Sequence, residues 1–275
     1  MHEPNLIFRM LTQNLKPLFV ALVLIAIAPA THSNDNVLPP AVLGKAGPLQ
    51  GETLNYYENA SGYIAEPKRA GPHGSVILIH EWNGLTNRIR EVADAMAAEG
   101  YIALAADLYS GRTGSNPREN MALVRETLAD PETLIANLNA ATRYLEDRTD
   151  STGKVAAIGW CYGGGVALSF ALGGEEHEAT AIFYGRLLDD PEQLKAIDHE
   201  IYGTFASQDR SIPVDAVNQF VAALRTAGVP SDVHIYDAVN HGFWLYVDAN
   251  PDLRSAPALD AWNRLKRYLA RTIGS

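Results

Sequence analysis

The chain of 275 residues contains one cysteine, Cys161, so it forms no internal disulfide. Positive charge is also scarce. Lys and Arg total 22 against 32 Asp and Glu, a formal net charge of −10 with no basic patch, which argues against a nucleic-acid partner. Neither an HExxH pattern nor a pair of closely spaced cysteines is present, so no metal site is expected. Gly163-Gly164-Gly165 lacks the GxGxxG spacing of a dinucleotide site and the Lys-Ser/Thr of a phosphate loop. No cofactor is called for. Repeats and low-complexity segments are missing, and no apolar run reaches the roughly 20 residues of a membrane span.

The longest apolar run, residues 17–28, follows Arg9 and Lys16 and precedes small residues. This pattern predicts a secretory signal peptide over residues 1–33, with an uncleaved anchor as the alternative reading. A protein exported in this way is periplasmic or secreted and has no stable membrane association after cleavage. Oxidising compartments favour paired cysteines, so a lone thiol there is either buried and inert or kept for reactivity.

Residues 34–275 read as a single domain. Residues 34–50 are rich in Pro and Gly and predict an arm lying on it. Strands are expected at 52–57, 62–65, 75–80, 101–105, 155–158, 179–184, 201–206 and 231–236. Helices are expected at 85–98, 118–128, 131–145, 191–197, 214–227 and 262–273, with a further helical run after residue 161. Such alternation predicts an α/β architecture, a mostly parallel central sheet with helices on both faces. Functional residues then belong beyond the carboxyl ends of the strands. Glu81, Asp107, Cys161, Asp209 and His241 all fall there.

Residues 153–171 organise the rest. An apolar strand runs into Gly159-Trp160-Cys161-Tyr162-Gly163, and a run of small and apolar residues follows. This is the strand, tight turn and helix of a nucleophile elbow, with Cys where Ser is commoner. Glycines two before and two after the nucleophile remove side chains that would clash at so sharp a turn. The helix N-terminus behind Cys161 favours a thiolate and a developing oxyanion. Downstream, Asp209 and His241 complete the order nucleophile, acid, base expected of the α/β-hydrolase fold. In that arrangement Cys161 attacks an acyl carbon, His241 moves protons, and Asp209 fixes the imidazole. Taken singly, Cys161 reads equally well as a core thiol, Asp209 as a turn residue before Pro213, and His241 as a surface histidine.

Five blocks together resemble the dienelactone hydrolase family from about residue 52 to the C-terminus. They are Ile-His-Glu-Trp-Asn-Gly (79–84), Ala-Asp-Leu-Tyr (106–109), Gly-Trp-Cys-Tyr-Gly-Gly (159–164), Ser-Gln-Asp (207–209) and Asn-His-Gly-Phe (240–243). The resemblance implies a carboxylic ester or lactone hydrolase, carboxymethylenebutenolidase-like, acting on a small molecule through Cys161, Asp209 and His241. It implies that Glu81 contacts the resting thiol and helps release the thiolate when substrate binds, and that the backbone N–H groups of Trp82 and Tyr162 form an oxyanion hole. Read without the resemblance, Glu81 is a structural partner of an arginine.

One position departs from the family. Its lactone-opening members place a carboxylate-binding arginine four residues after the histidine, where this chain has Leu245. Arg112 is a candidate cation, or else a solvated loop charge. Trp160, Phe243 and Trp244 are expected, with Arg112, to contact substrate at an aromatic pocket mouth. Two rival readings stay open here: a catalytically silent hydrolase-fold protein binding an acyl or aromatic ligand, and a redox-sensing thiol. The sequence sets no oligomeric state.

Overall fold

The computed structural model describes residues 37–274. The expected signal peptide lies outside the described residues.

Eight strands form one sheet: β1 (Glu52–Tyr57), β2 (Ala60–Ala65), β3 (His73–Ile79), β4 (Ile102–Ala106), β5 (Ser151–Trp160), β6 (Ala179–Phe183), β7 (Ile201–Ala206) and β8 (Ser231–Tyr236). Their order across the sheet is β1-β2-β4-β3-β5-β6-β7-β8. β1 pairs antiparallel with β2, and β2 antiparallel with β4; every other pairing is parallel. Continuous apolar runs such as Val76-Ile77-Leu78-Ile79 and Val155-Ala156-Ala157-Ile158 explain the central strands. A strand that is apolar at every position gains only where both faces are covered, and these residues are fully buried.

The coverings are α1 (Asn87–Ala98), α2 (Pro117–Leu128), α3 (Pro131–Glu146), α4 (Tyr162–Gly173), α5 (Pro191–Leu194), α6 (Val214–Ala227) and α7 (Pro251–Thr272). Local chemistry starts several of them. Asn116, Asp130 and Asp190 each accept a backbone N–H of the first turn, and a proline stands at the first helical position in each case. Apolar residues form three cores, on the two faces of the sheet and beside α6.

α7 and the N-terminal arm both depart from expectation. α7 begins at Pro251 rather than 262 and carries Pro257 inside it. A proline there removes one intrahelical bond, yet Ala258, Ala261, Trp262, Leu265, Tyr268 and Leu269 bury the following stripe and carry the helix through. The N-terminal arm contains a short 3-10 turn, Pro40–Leu43, that inserts Ala41 and Val42 into the core.

Candidate active site

The site follows from sheet order. β3, β5, β6, β7 and β8 are consecutive neighbours, and Ile79 pairs with Gly159 while Trp160 pairs with Phe183. The residues just past those strand ends therefore lie side by side: Glu81 after β3, Cys161 after β5, Tyr184 after β6. Asp209 follows β7, and His241 sits in the loop after β8.

Cys161 occupies the turn between β5 and α4 with φ 55° and ψ −116°, a backbone region that non-glycine residues rarely enter. Its N–H donates to Phe183 O at 3.0 Å, and its own carbonyl accepts from Gly164 at 3.1 Å and Gly165 at 3.3 Å. The glycines around it have a steric cause. A Cβ on Gly159 would collide with the Gly163 carbonyl, and one on Gly163 would collide with the carbonyls of Ile79 and His80. The thiol is half-buried.

Asp209 and His241 meet as the motif spacing anticipates. His241 Nδ1 donates to Asp209 Oδ2 at 2.7 Å, and the aspartate side chain is 1% exposed. The other carboxylate oxygen, Oδ1, accepts from the backbone of Ser211 at 2.7 Å and Ile212 at 3.1 Å. Burial works against the charge on Asp209, but the hydrogen bond and charge of His241 and these two N–H donors outweigh it and lower its pKa. Burial likewise opposes the charge on His241. Its bonds to Asp209 and to the Cys161 sulfur, with their negative charge, prevail and push it up to about 10. An imidazolium is thus held between a carboxylate and the sulfur.

Glu81 is buried at 6% exposure, and burial raises its pKa against the opposing pull of Tyr246, His241 and Arg88. Its partner is a phenol and not an arginine: Tyr246 donates its hydroxyl to Glu81 Oε2 at 2.5 Å. Arg88 stands one layer behind, 5.4 Å from the Tyr246 ring centroid, and pairs with Asp248 at 2.8 Å. Trp82 lies in the turn after β3 and Tyr162 opens α4. Neither backbone N–H is used in a hydrogen bond among the described residues.

The expected aromatic pocket mouth is corrected. Trp160, Phe243 and Trp244 are each 0% exposed. Trp160 stacks on Trp244 at 5.7 Å between ring centroids, and Trp244 continues to Phe183 at 5.2 Å and to Trp262 at 5.9 Å. These rings form the packing between the sheet and α7. Side chains of this size gain more from full burial than from lining an open wall. Arg112 is also placed away from the triad. It forms a two-point ion pair with Glu126 on α2, at 2.9 and 2.6 Å, in a groove bordered by Tyr57 and Asp130. Asp107, at the end of β4, accepts three backbone N–H groups, from Ser61, Tyr109 and Gly111, and so anchors a loop.

Two residues of the site escaped the motifs. Tyr184 is buried beside His241, with ring centroids 4.9 Å apart, and adopts φ 40°. The only sequence signal for it is its place just beyond β6, before Gly185. Arg88 could be read only as a helix-surface charge.

Residues 60–273 match the model of the dienelactone hydrolase family. Among relatives, Protein usf of Aquifex pyrophilus is 31% identical over 227 residues, which is 78% of this chain and 95% of that protein. A Methylorubrum extorquens protein provisionally named carboxymethylenebutenolidase is 27% identical over 220 residues, 75% of each chain. A solved structure described as a dienelactone hydrolase-like promiscuous phosphotriesterase from metagenomic libraries aligns with a TM-score of 0.73 at 20% identity, covering 82% of this chain and 99% of its own. With the matched family spanning nearly the whole domain, this chain belongs to the dienelactone hydrolase family and is a hydrolase acting on ester bonds.

Proposed function

We propose that the protein is an exported, cysteine-dependent hydrolase of small carboxylic esters or lactones that works through an acyl-enzyme on Cys161. The observation carrying this is the His241 imidazole held between Asp209 and the sulfur of a cysteine on a positive-φ turn. Export rests on the leader pattern of residues 1–33.

In the reaction, the Cys161 sulfur, its proton already held by His241, attacks the acyl carbon. The carbonyl oxygen takes the negative charge and is met by the N–H groups of Trp82 and Tyr162. Each such donor is worth roughly 10²–10³ in rate. The C–O bond to the leaving group breaks as His241 returns its proton to the departing oxygen, leaving a thioester. Water then adds to the thioester, giving its proton to His241. Collapse releases the carboxylic acid and restores the sulfur. Asp209 keeps the imidazole in one tautomer and stabilises its cation throughout.

The side chains also bear on substrate choice. Leu245 is fully buried and Arg112 is committed to Glu126, so neither position offers a cation to a substrate carboxylate.

A panel of p-nitrophenyl esters and an enol lactone, run with wild type and Cys161→Ala and followed by intact-mass spectra, tests this. Turnover in wild type alone, with an acyl adduct on Cys161, is the expected result. No turnover on any member, with Cys161 inert to iodoacetamide, would leave a ligand-binding scaffold.

A further inference from the structure

His80 directly follows β3, is fully buried, and takes no part in the reaction written above. Burial keeps it neutral, its pKa lowered to about 4, so one ring nitrogen carries a proton and the other accepts one. Its neighbours decide which. The Leu108 N–H donates to Nε2 at 3.3 Å, which places the proton on Nδ1, and Nδ1 stands 2.6 Å from the carbonyl oxygen of Glu81. An imidazole is a costly way to fill the end of an apolar strand, and here both of its nitrogens are spent on backbone.

The Glu81 carbonyl belongs to the same peptide unit as the Trp82 N–H. That peptide is trans, so the two groups point in opposite directions. With the oxygen turned to the buried imidazole, the N–H is turned to the other side, where no acceptor among the described residues takes it. The same oxygen accepts from Gly84 at 3.2 Å, closing the turn after β3. The next peptide is held as well: the Tyr109 hydroxyl donates to the Trp82 carbonyl at 3.2 Å. His80, Tyr109 and Tyr162 pack as one group, with the His80 ring 4.6 Å from Tyr109 and 6.2 Å from Tyr162, and Tyr162 carries the second free N–H. Asp107 orders the loop that supplies these contacts by accepting the N–H groups of Tyr109 and Gly111.

We propose that His80 is a positioning residue for acyl transfer: its Nδ1–H bond to the Glu81 carbonyl keeps the Trp82 N–H aimed at the developing oxyanion, with Tyr109 bracing the next peptide. The inference rests on the Cys161 hydrolase reading and on Trp82 as an oxyanion donor. A donor of this kind stabilises the transition state only if it is in place before charge develops, since turning it during the reaction would cost what the bond returns. A carbonyl that accepts a hydrogen bond also polarises its own peptide N–H and makes it a stronger donor. Both effects act on acyl transfer alone and leave substrate binding and the reactivity of the resting thiol as they are.

The experiment uses the purified chain, with kcat and KM on p-nitrophenyl acetate and the rate of Cys161 alkylation by iodoacetamide measured side by side. Alkylation is a displacement at a methylene carbon and develops no oxyanion, so it reports the thiol without the hole. The proteins are wild type, His80→Leu, His80→Asn and Tyr109→Phe, beside Cys161→Ala. Leu removes the donor to the Glu81 carbonyl, whereas the Asn amide N–H stands close to the place of Nδ1. His80→Leu should lower kcat about 10- to 100-fold, part of the loss of a whole donor, with KM and the alkylation rate unchanged. His80→Asn should recover most of that loss, and Tyr109→Phe should show the same pattern to a smaller degree. A His80→Leu enzyme with the wild-type kcat overturns the proposal. So does a His80→Leu enzyme in which turnover and alkylation fall together, or one that His80→Asn does not improve on. Should neither His80 variant fold, a Tyr109→Phe enzyme with the wild-type kcat overturns it equally. Turnover surviving in Cys161→Ala sinks the hydrolase reading itself, a different failure.

Discussion

His241 Nδ1 and Asp209 Oδ2 stand 2.7 Å apart, and the aspartate that anchors the pair is almost wholly buried. The pair fixes one nitrogen of the imidazole and leaves Nε2 for the sulfur. Replacing Asp209 with Asn keeps the shape but allows the wrong tautomer. kcat on p-nitrophenyl acetate should fall by roughly 10²–10⁴, with KM little changed. Initial rates of the two proteins at equal folded concentration check this.

The same contact sets a pH limit. His241 is charged up to about 10 in the fold against an ordinary 6.5, so its proton for the leaving group is present below that value and is lost as pH rises through it. The linked stability runs the same way. It is complete below about 6.5 and disappears as pH climbs towards 10. In Asp209→Asn both effects should shift to lower pH. The Cε1 proton resonance of His241, titrated in both proteins, reports the shift directly.

Acid should act through other histidines. His80 and His177 are buried, and burial lowers each to about 4. His177 bonds the Glu175 carbonyl and Thr180, and His80 bonds the Glu81 carbonyl. The unfolded chain takes up protons at these groups below about 6.5 while the fold does not. Stability is therefore full above 6.5 and falls as pH drops through 4, by about 3 kcal/mol for each histidine. Urea midpoints at pH 7 and pH 4.5 measure it, and His177→Asn should flatten the difference.

Glycine replacements separate necessity from tolerance along one helix. Gly163→Ala drives a methyl into the backbone carbonyls of Ile79 and His80, neither of which can yield without moving β3. The cost should be about 1–3 kcal/mol or more, with loss of activity. Gly173→Ala, ten residues on, meets nothing within 4 Å and should stabilise by about 0.4–1 kcal/mol. Thermal midpoints of the two variants should move in opposite directions.

The sheet was legible because its central strands are apolar at every position, and the elbow because glycine spacing reports a steric demand. β7, β8 and α6 fall within the residues read from periodicity. Asp209 and His241 come together because loops after neighbouring parallel strands share one edge, a consequence of topology. Aromatic residues misled the reading. Trp160, Phe243 and Trp244 sit next to catalytic-type residues in sequence, but adjacency along a chain does not fix the direction of a side chain, and α7 offered them a dry surface. The start of α7 was hidden by Pro257, since the packing that carries a helix past a proline is a tertiary effect. Tyr184 was illegible for a related reason: its positive φ exists only in the folded sheet.

The arm ahead of β1 has a bearing on where the chain tolerates change. Leu38, Ala41 and Val42 are buried, and the Ala41 carbonyl accepts from Arg88, whose guanidinium covers the Tyr246 ring that holds Glu81. A string of contacts thus runs from the first described residues to the reaction centre. A truncation that reaches Leu38 would cut this string, and an affinity tag or fusion partner joined at that point would tug on the chemistry about 120 residues away in sequence.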